Sequence, residues 1–394
     1  EHLDAGGGVL SGLVYQYDAH GRVQYLVDLR NAPAGGIGAG DADYKTKREY
    51  RPDSDLLAQV TTPKPDPANH PNEARQTTSF AYDVHNMGRV SQVTYPNAAV
   101  ETREYWPSGL VKQVSGGPGL AAAYTYDDQG RLSTLVTDPG GALAATTTWE
   151  YSAERGWLKR KRYHNSELGP VYSYTGGGRL KTRARNGVTT TYTYQFEAGG
   201  AGGANKSDDP RTIAYSGGTA GVDLTHYRNG SVHTASRAGV TTTYQYNLAG
   251  QVEREAWAGG DLDQKSVRRT YDAYLRRVGL GLWNGETARF STAYGYDPAK
   301  GRLETVSSGG SSASYSYLAN GEAVREISLR NGQMPRLVNT WERDDLGRIR
   351  QAKAAAATGP SLSRAYAFDA LNRRKEMALE DGSRWAYDYD GRGQ

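Results

Sequence analysis

The 394-residue chain contains no cysteine, only four phenylalanines and three methionines, and no run of 18 apolar residues. Without cysteine, disulfide bridges, thiolate nucleophiles and thiolate metal ligands are excluded. The lack of a long apolar run excludes a membrane-spanning helix. No window of a dozen residues shows a convincing helical period, so helices are not expected to build this fold.

The chain is rich instead in large amphipathic aromatics, with 29 tyrosines and 7 tryptophans. Its net charge is only +4, which argues against disorder despite the scarcity of aliphatic residues. Aromatic side chains supply large buried area at regular intervals, and a tyrosine hydroxyl can still reach a polar partner. This composition predicts a thin sheet wall and no thick aliphatic core.

One motif recurs along the chain: a tyrosine, an acidic residue, a few turn formers, then glycine, arginine and an aliphatic residue. Its clearest copy runs Tyr126-Asp127-Asp128-Gln129-Gly130-Arg131-Leu132. The motif positions that we take as structural are Tyr17, Asp18, Gly21, Arg22, Tyr82, Asp83, Gly88, Arg89, Tyr126, Asp127, Gly130, Arg131, Tyr246, Gly250, Tyr271, Asp272, Tyr296, Asp297, Gly301, Arg302, Gly347 and Arg348.

The copies follow one another at a period of about 20 to 26 residues, which indicates a repeat architecture. The later copies fit this spacing when Arg276 is counted in the slot of a missing turn glycine. The segments 185–194 and 237–246 nearly match, an offset of two repeats. We therefore predict a single array of about 15 repeats over residues 1–394. Both ends fall inside the pattern, so an interior piece of a longer polypeptide is expected.

Each repeat is predicted to be a β-hairpin. In Tyr124-Thr125-Tyr126 the aromatics are two residues apart and share one face of a strand. The Asp, Asn and Gly residues that follow reverse a chain readily. Strand-like Thr, Val and Leu residues come after the turn. The fold class is therefore all-β, with hairpins that add edge to edge into a continuous twisted, spiralling sheet that curls into a hollow barrel or shell.

The motif Tyr-Asp-x-x-Gly-Arg-Leu/Val resembles the YD repeat of Rhs proteins, which is shared with the C components of insecticidal Tc toxin complexes, wall-associated repeat proteins and teneurins. The resemblance covers essentially residues 11–394. It implies a β-ribbon wound into a hollow shell that encloses a C-terminal polymorphic toxin or, in teneurins, presents an adhesion surface. Gly- and Ala-rich insertions such as 199–204, and the segment 63–71, interrupt the pattern and predict protruding loops.

No residue pattern indicates catalysis. Asp138-Pro139-Gly140-Gly141 resembles the Asp-Pro-x-Gly processing segment of Rhs proteins, but it lies within the array, and Asp-Pro-Gly is a common turn sequence. The seven histidines show no metal-ligand spacing. An acid present in nearly every turn is explained by turn chemistry before catalysis. We expect no enzyme activity, no catalytic residue, no metal and no cofactor.

Local basic clusters at 159–162 and 181–185 lie among aromatic residues, as in binders of single-stranded nucleic acid. Acidic residues are nearly as numerous, and arginine recurs after the turn glycine, so a structural arginine paired with its own or the adjacent hairpin's aspartate is the favoured interpretation. We expect no nucleic-acid partner.

The sequence thus predicts a non-enzymatic shell segment of an exported bacterial Rhs/YD-repeat protein, secreted or at the cell surface. Its expected partner is the rest of its own polypeptide, including a C-terminal toxin or cargo and capping domains. The alternative is an adhesin or carbohydrate-binding fibre in which Tyr105, Trp106, Trp149, Trp257 and Trp283 stack on cell-surface sugars. Exposed aromatics would favour the fibre, and buried aromatics the shell.

Overall fold

The computed structural model describes residues 2–3, 9–28, 42–65, 74–83, 88–117, 119–164, 168–194, 209–318, 321–344, 346–369 and 372–389. The 63–71 insertion lies partly outside these residues, and the 199–204 insertion lies wholly outside them. Two three-residue 3-10 helices, Ala42–Tyr44 and Gly260–Leu262, are the helical elements of the described part. No helix there is long and apolar enough to cross a membrane.

The first strands, numbered in chain order, are β1 (His2–Leu3), β2 (Val9–Ser11), β3 (Leu13–Tyr17), β4 (Val23–Asp28), β5 (Thr46–Tyr50), β6 (Leu57–Thr61), β7 (Thr77–Asp83), β8 (Arg89–Thr94), β9 (Val100–Tyr105), β10 (Val111–Gly116), β11 (Ala122–Tyr126), β12 (Leu132–Thr137), β13 (Ala145–Tyr151), β14 (Leu158–Arg162), β15 (Leu168–Tyr174) and β16 (Leu180–Arg185). The later strands are β17 (Val188–Tyr194), β18 (Pro210–Tyr215), β19 (Val222–His226), β20 (Val232–Arg237), β21 (Val240–Tyr246), β22 (Val252–Ala258), β23 (Lys265–Tyr271), β24 (Arg277–Asn284), β25 (Thr287–Tyr296), β26 (Leu303–Ser308), β27 (Ser311–Tyr317), β28 (Val324–Asn331), β29 (Met334–Arg343), β30 (Ile349–Ala356), β31 (Leu362–Phe368), β32 (Arg374–Leu379) and β33 (Arg384–Ala386).

The predicted all-β fold of tandem hairpins is confirmed. Strands make up about half of the chain, and 31 of them, β3 to β33, are antiparallel strands of one sheet. Each strand pairs with its neighbour in sequence wherever the structure describes the register, as β21 does with β22 through Tyr244 and Glu255. Sequence neighbours pair because each hairpin offers its free edge to the next one.

The chain divides into two compact units. The first contains residues 1–124, 136–144 and 295–394, and the second contains residues 125–135 and 145–294. Hairpins of the same kind make up both units. The prediction of one array of about 15 repeats remains a prediction.

A β-bulge recurs where the motif tyrosine meets the next strand. The register shifts between Gln16 and Tyr17 in the first hairpin and between Gln245 and Tyr246 in a later one. Such a bulge increases the local right-handed twist of a strand pair. Its recurrence gives the hairpins a repeated bend that the residue pattern did not reveal.

The wall is thin, as the composition predicts. No side chain of the described residues is fully buried, and the most buried apolar residues are scattered: Val27, Val93, Ala122, Tyr194 and Leu318. Along β11 and β21 the tyrosines are half-buried, while Thr125 and Gln245 between them are exposed. The aromatic rings therefore provide most of the packing on one face of the sheet.

Candidate functional site

The aspartate of each repeat closes its own turn. Oδ1 of Asp127 accepts hydrogen bonds from the backbone N–H groups of Gln129 at 3.0 Å and Arg131 at 2.9 Å. Oδ2 accepts a bond from Nε of Arg131 at 2.7 Å. The hydrogen bond from the Arg131 side chain is the main cause that lowers the pKa of Asp127 below its usual 3.8, and the backbone N–H donors lower it further. The same ion pair joins Asp18 with Arg22, Asp272 with Arg276, Asp344 with Arg348 and Asp369 with Arg373.

The arginine also reaches the following repeat. The guanidinium of Arg131 lies 4.4 Å from the ring centroid of Tyr151. It also lies against the turn glycine Gly156, so closely that a Cβ atom at position 156 would clash with the guanidinium. A cation over an aromatic face is attracted by the ring quadrupole. Further pairs at 4.4 to 5.7 Å are Arg22–Tyr50, Arg89–Tyr105, Arg179–Tyr194, Arg302–Tyr317, Arg348–Phe368 and Arg373–Tyr389.

The tyrosine hydroxyl completes the contact. The hydroxyl of Tyr246 donates to the backbone carbonyl of Val232, the aliphatic residue that follows the turn of the preceding repeat, at 2.8 Å. Equivalent bonds of 2.6 to 2.9 Å run from Tyr50 to Val23, Tyr82 to Leu57, Tyr105 to Val90, Tyr151 to Leu132, Tyr174 to Leu158, Tyr194 to Leu180, Tyr271 to Val252, Tyr317 to Leu303 and Tyr389 to Arg374. We call this hydroxyl contact between successive repeats, together with the turn aspartate, the arginine and the covered ring where a copy has them, the repeat lock.

Degenerate copies keep part of the lock. Thr175 takes the place of the aspartate, and its Oγ1 accepts the N–H of Arg179 at 3.2 Å. Asn247 does the same for the N–H of Gln251 at 2.9 Å. Because a hydroxyl or an amide oxygen can accept the turn hydrogen bond, the turn survives the loss of the carboxylate.

A longer turn changes the partner of the arginine. In the Asp297 copy one extra residue precedes Gly301, and Oδ1 of Asp297 accepts the N–H groups of Ala299 and Lys300. Arg302 is buried and contacts Glu322 at 3.6 Å. Spacing therefore decides whether the turn contains an ion pair.

The glycine slot of the Asp272 turn needs a correction. Counting Arg276 in that slot is wrong, because Leu275 holds the position: its φ is +63° and its N–H donates to the carbonyl of Asp272. Arg276 occupies the ordinary arginine position. A left-handed conformation is costly for leucine, so the residue pattern does not predict it at this position.

The first copy differs from the rest. The side chain of Tyr17 is 60% exposed, whereas Tyr82, Tyr126, Tyr246 and Tyr296 are half-buried. Its turn is ordinary, with Gly21 at a φ of +78°. The prediction of a buried motif tyrosine thus fails at β3, where only β4 pairs with the strand among the described residues.

The predicted turn glycines share one backbone conformation. Gly88, Gly130, Gly250, Gly301 and Gly347 all adopt positive φ. Asp83 ends β7 opposite Arg89.

The described residues contain no cluster of His, Asp and Glu that could hold a metal ion. Asp138 lies in a turn: its carbonyl accepts the N–H of Gly141, and its Oδ2 accepts the N–H of Leu143 at 3.2 Å. Its φ of +52° is uncommon outside glycine, and aspartate tolerates it better than most residues. The geometry is that of the turn expected from Asp-Pro-Gly.

The aromatic residues considered for sugar stacking are half-buried. Nζ of Lys161 lies 4.8 Å from the ring of Trp149, and the guanidinium of Arg268 lies 4.1 Å from the ring of Trp283. The indole N–H of Trp106 donates to the carbonyl of Tyr124. Rings covered in this way do not form an open stacking platform.

Comparisons with known proteins bear on this geometry. The RHS Repeat family model matches residues 105–143. The chain is 29% identical over 116 residues to a double-stranded DNA deaminase toxin A from Burkholderia cenocepacia (strain H111), which covers 29% of this chain and 8% of that protein.

Solved structures share the fold. The crystal structure of TcdB2-TccC3-TEV matches 97% of this chain and 22% of its own, with a TM-score of 0.65 and 15% identity. A Tc holotoxin pore from Photorhabdus luminescens with a mutated TccC3 matches equally, at 13% identity. The chain thus spans less than a quarter of the length of these relatives. The chain contains a segment at residues 105–143 that matches the RHS Repeat model and shares the fold of these Tc toxin structures, which supports the predicted relationship to Rhs/YD-repeat proteins.

Proposed function

We propose that the chain is a non-enzymatic wall segment of an exported bacterial Rhs/YD-repeat toxin, and that its sheet encloses a C-terminal toxin or cargo. The observation that carries the proposal is the repeat lock. Among the described residues, the hydroxyl of the motif tyrosine repeatedly donates to a backbone carbonyl of the preceding hairpin, as at Tyr50, Tyr151 and Tyr246. A wall that must stay closed around another polypeptide needs such hairpin-to-hairpin contacts.

The titratable groups of the motif support a structural role. Asp127 and Arg131 bind each other and their own turn, and the pattern is repeated at other copies. A catalytic acid is required once and has surroundings unlike those of any other copy. Repetition therefore favours a scaffold over an enzyme.

The toxin relatives supply the cargo part of the proposal. A deaminase toxin contains a matching segment, and the structures with the same fold are of toxin complexes. In this proposal the rest of the polypeptide is the partner, the wall is exported with it, and no nucleic acid or cofactor is needed. The covered aromatic rings do not favour the carbohydrate-binding alternative.

Protease protection of the uncut polypeptide tests enclosure. A non-specific protease should spare the C-terminal region as long as the wall is folded and should digest it once the wall is unfolded by denaturant. A matched sample of the isolated C-terminal region should be digested under both conditions. Equal digestion of the C-terminal region with and without a folded wall would show that the chain does not enclose it.

A further inference from the structure

Strands β13 to β17 carry an unbalanced positive charge on the face that bears the repeat tyrosines. Trp149 lies opposite Lys161, and Tyr172 lies opposite Arg183, so these side chains share that face. Alternation along each strand adds further cations to it. We call Lys159, Lys161, Lys181, Arg183 and Arg185 the basic patch.

The described part of these strands contains no acidic residue that forms an ion pair with the basic patch. Glu150 is the one acidic residue in β13 to β17, and it lies opposite Arg160 on the other face. It is engaged there by Arg162 at 2.5 Å. None of the five patch cations forms an ion pair with a described carboxylate, in contrast to the arginines of the repeat locks.

Aromatic rings lie over two of the five patch cations, Lys161 and Arg185. Nζ of Lys161 lies 4.8 Å from the ring centroid of Trp149 and 5.4 Å from that of Tyr163. The guanidinium of Arg185 lies 5.6 Å from Tyr163. These contacts leave the rings occupied and the cations without an anion.

The duplicated hairpins show that the fold does not need two of these five charges, those of Lys161 and Arg183. The cross-strand pair Tyr172–Arg183 corresponds to the pair Leu224–Ala235 two repeats later in the sequence, and the strand register is the same. In the same way, the pair Arg160–Val171 corresponds to the pair Thr212–Asp223 two repeats later. Ile213 therefore occupies the position that Lys161 has in the first copy. The second copy thus builds the same hairpins with Ile213 and Ala235 in place of two patch cations.

We propose that the basic patch binds an acidic segment of the enclosed polypeptide. Unpaired cations on one face attract carboxylates across an interface and fix their register. Nucleic acid is the less suitable ligand, because its bases need open aromatic faces and the rings here are covered. The inference rests on the proposed function, and it assigns this face of the sheet to the side of the enclosed polypeptide.

Zero-length carbodiimide cross-linking of the uncut polypeptide tests the proposal, because it joins a lysine amine to a carboxylate in direct contact. Mass spectrometry should find Lys159, Lys161 and Lys181 joined to Asp or Glu residues of the C-terminal region. The double variant Lys161→Ile/Arg183→Ala should reduce the cross-links from Lys159 and Lys181 at least about threefold, as expected for two lost charge contacts. The variant carries the residues of the second copy, so its far-UV spectrum should be unchanged.

Two further variants act as controls. Arg237→Gln removes the equivalent of Arg185 in the second copy and should leave the cross-links unchanged. Ile213→Lys/Ala235→Arg adds two cations outside the patch and should leave the cross-links of the patch unchanged.

The outcomes separate the two proposals. A protease-protected C-terminal region with no cross-link to Lys159, Lys161 or Lys181 would overturn the patch assignment and leave the enclosure proposal standing. A C-terminal region that is open to protease would overturn enclosure itself. Co-purified nucleic acid that is lost in Lys161→Ile/Arg183→Ala would also overturn the proposed acidic-polypeptide ligand.

Discussion

At the scale of single residues, the motif tyrosine does two jobs with one side chain. Its ring packs beneath the arginine of the preceding repeat, and its hydroxyl satisfies a backbone carbonyl there, as Tyr151 does with Arg131 and Leu132. Phenylalanine can replace only the first of these functions. Phe368 shows this, because Arg348 lies 4.4 Å from its ring but no hydroxyl is present.

Replacing Tyr246 by Phe should lower the free energy of unfolding by about 1 kcal/mol, because a hydrogen bond to the carbonyl of Val232 is lost. Tyr244→Phe is the matched control, since Tyr244 lies two residues away on the same face and its hydroxyl has no hydrogen bond to a described residue. Urea denaturation of both variants measures the difference. Equal losses would mean that the hydroxyl contact contributes nothing.

Removing the carboxylate charge of one turn should change how the free energy of unfolding depends on pH in the acidic range. The pKa of Asp127 is lowered in the folded chain from 3.8, so its stabilising effect is present above that value and is lost as pH falls through the lower folded pKa. Asp127→Asn should therefore be less stable than the wild type near neutrality. The difference in free energy of unfolding between the two proteins should become smaller below pH 3.8. Asp297→Asn, whose turn holds no arginine pair, should show a smaller change. Urea denaturation of both variants and the wild type at several pH values measures these differences. A difference between Asp127→Asn and the wild type that does not depend on pH would contradict the prediction.

At the scale of the hairpin, turn length decides the partner of the arginine. A turn with arginine four residues after aspartate pairs the two, as in Asp344 and Arg348, whereas the longer turn of Asp297 sends Arg302 to Glu322. The conformation after the aspartate also matters. Glycine usually provides the positive φ, and where it is missing Leu275 and Asn372 adopt it.

Replacing Leu275 by Gly should stabilise the chain by about 1 kcal/mol, because glycine reaches positive φ without the steric cost that leucine bears. The side chain of Leu275 is 51% exposed, so little packing is lost. Leu248→Gly is the control: Leu248 is a fully exposed turn residue with no positive φ, and its replacement should not stabilise. A melting temperature that falls for Leu275→Gly would show that the strain is absent.

At the scale of the whole chain, stability is spread over many similar contacts and does not depend on a central core. The few buried residues are scattered, and the hydroxyl contact between successive repeats recurs along the described part of the chain. In such a stack each repeat contacts its neighbours, so stability is close to a sum of local terms. Loss of one lock should weaken one junction without unfolding distant hairpins.

Alkaline pH should weaken many junctions together. Burial raises the pKa of the locked tyrosines Tyr82, Tyr151, Tyr174, Tyr246 and Tyr317 above 10.0. Since the folded pKa is raised, the stabilising effect is complete below pH 10.0 and is lost as pH rises through the folded values. Tyrosinate absorbance and far-UV circular dichroism, recorded on one sample, should change together above that pH. Full tyrosine ionisation with an intact β-sheet signal would contradict the prediction.

The sequence determined the local structure: hairpins, turn positions and an all-β class follow from alternating tyrosines and Asp/Gly turns, whose preferences act over a few residues. Tertiary structure decided what meets across repeats. Which carbonyl receives the hydroxyl of Tyr246, why Arg302 contacts Glu322 and why Tyr17 stays exposed depend on the neighbouring hairpin and its bulge. The position of Leu275 in a glycine slot likewise required the turn geometry. These contacts join residues well apart in the chain, where residue spacing alone carries no distance information.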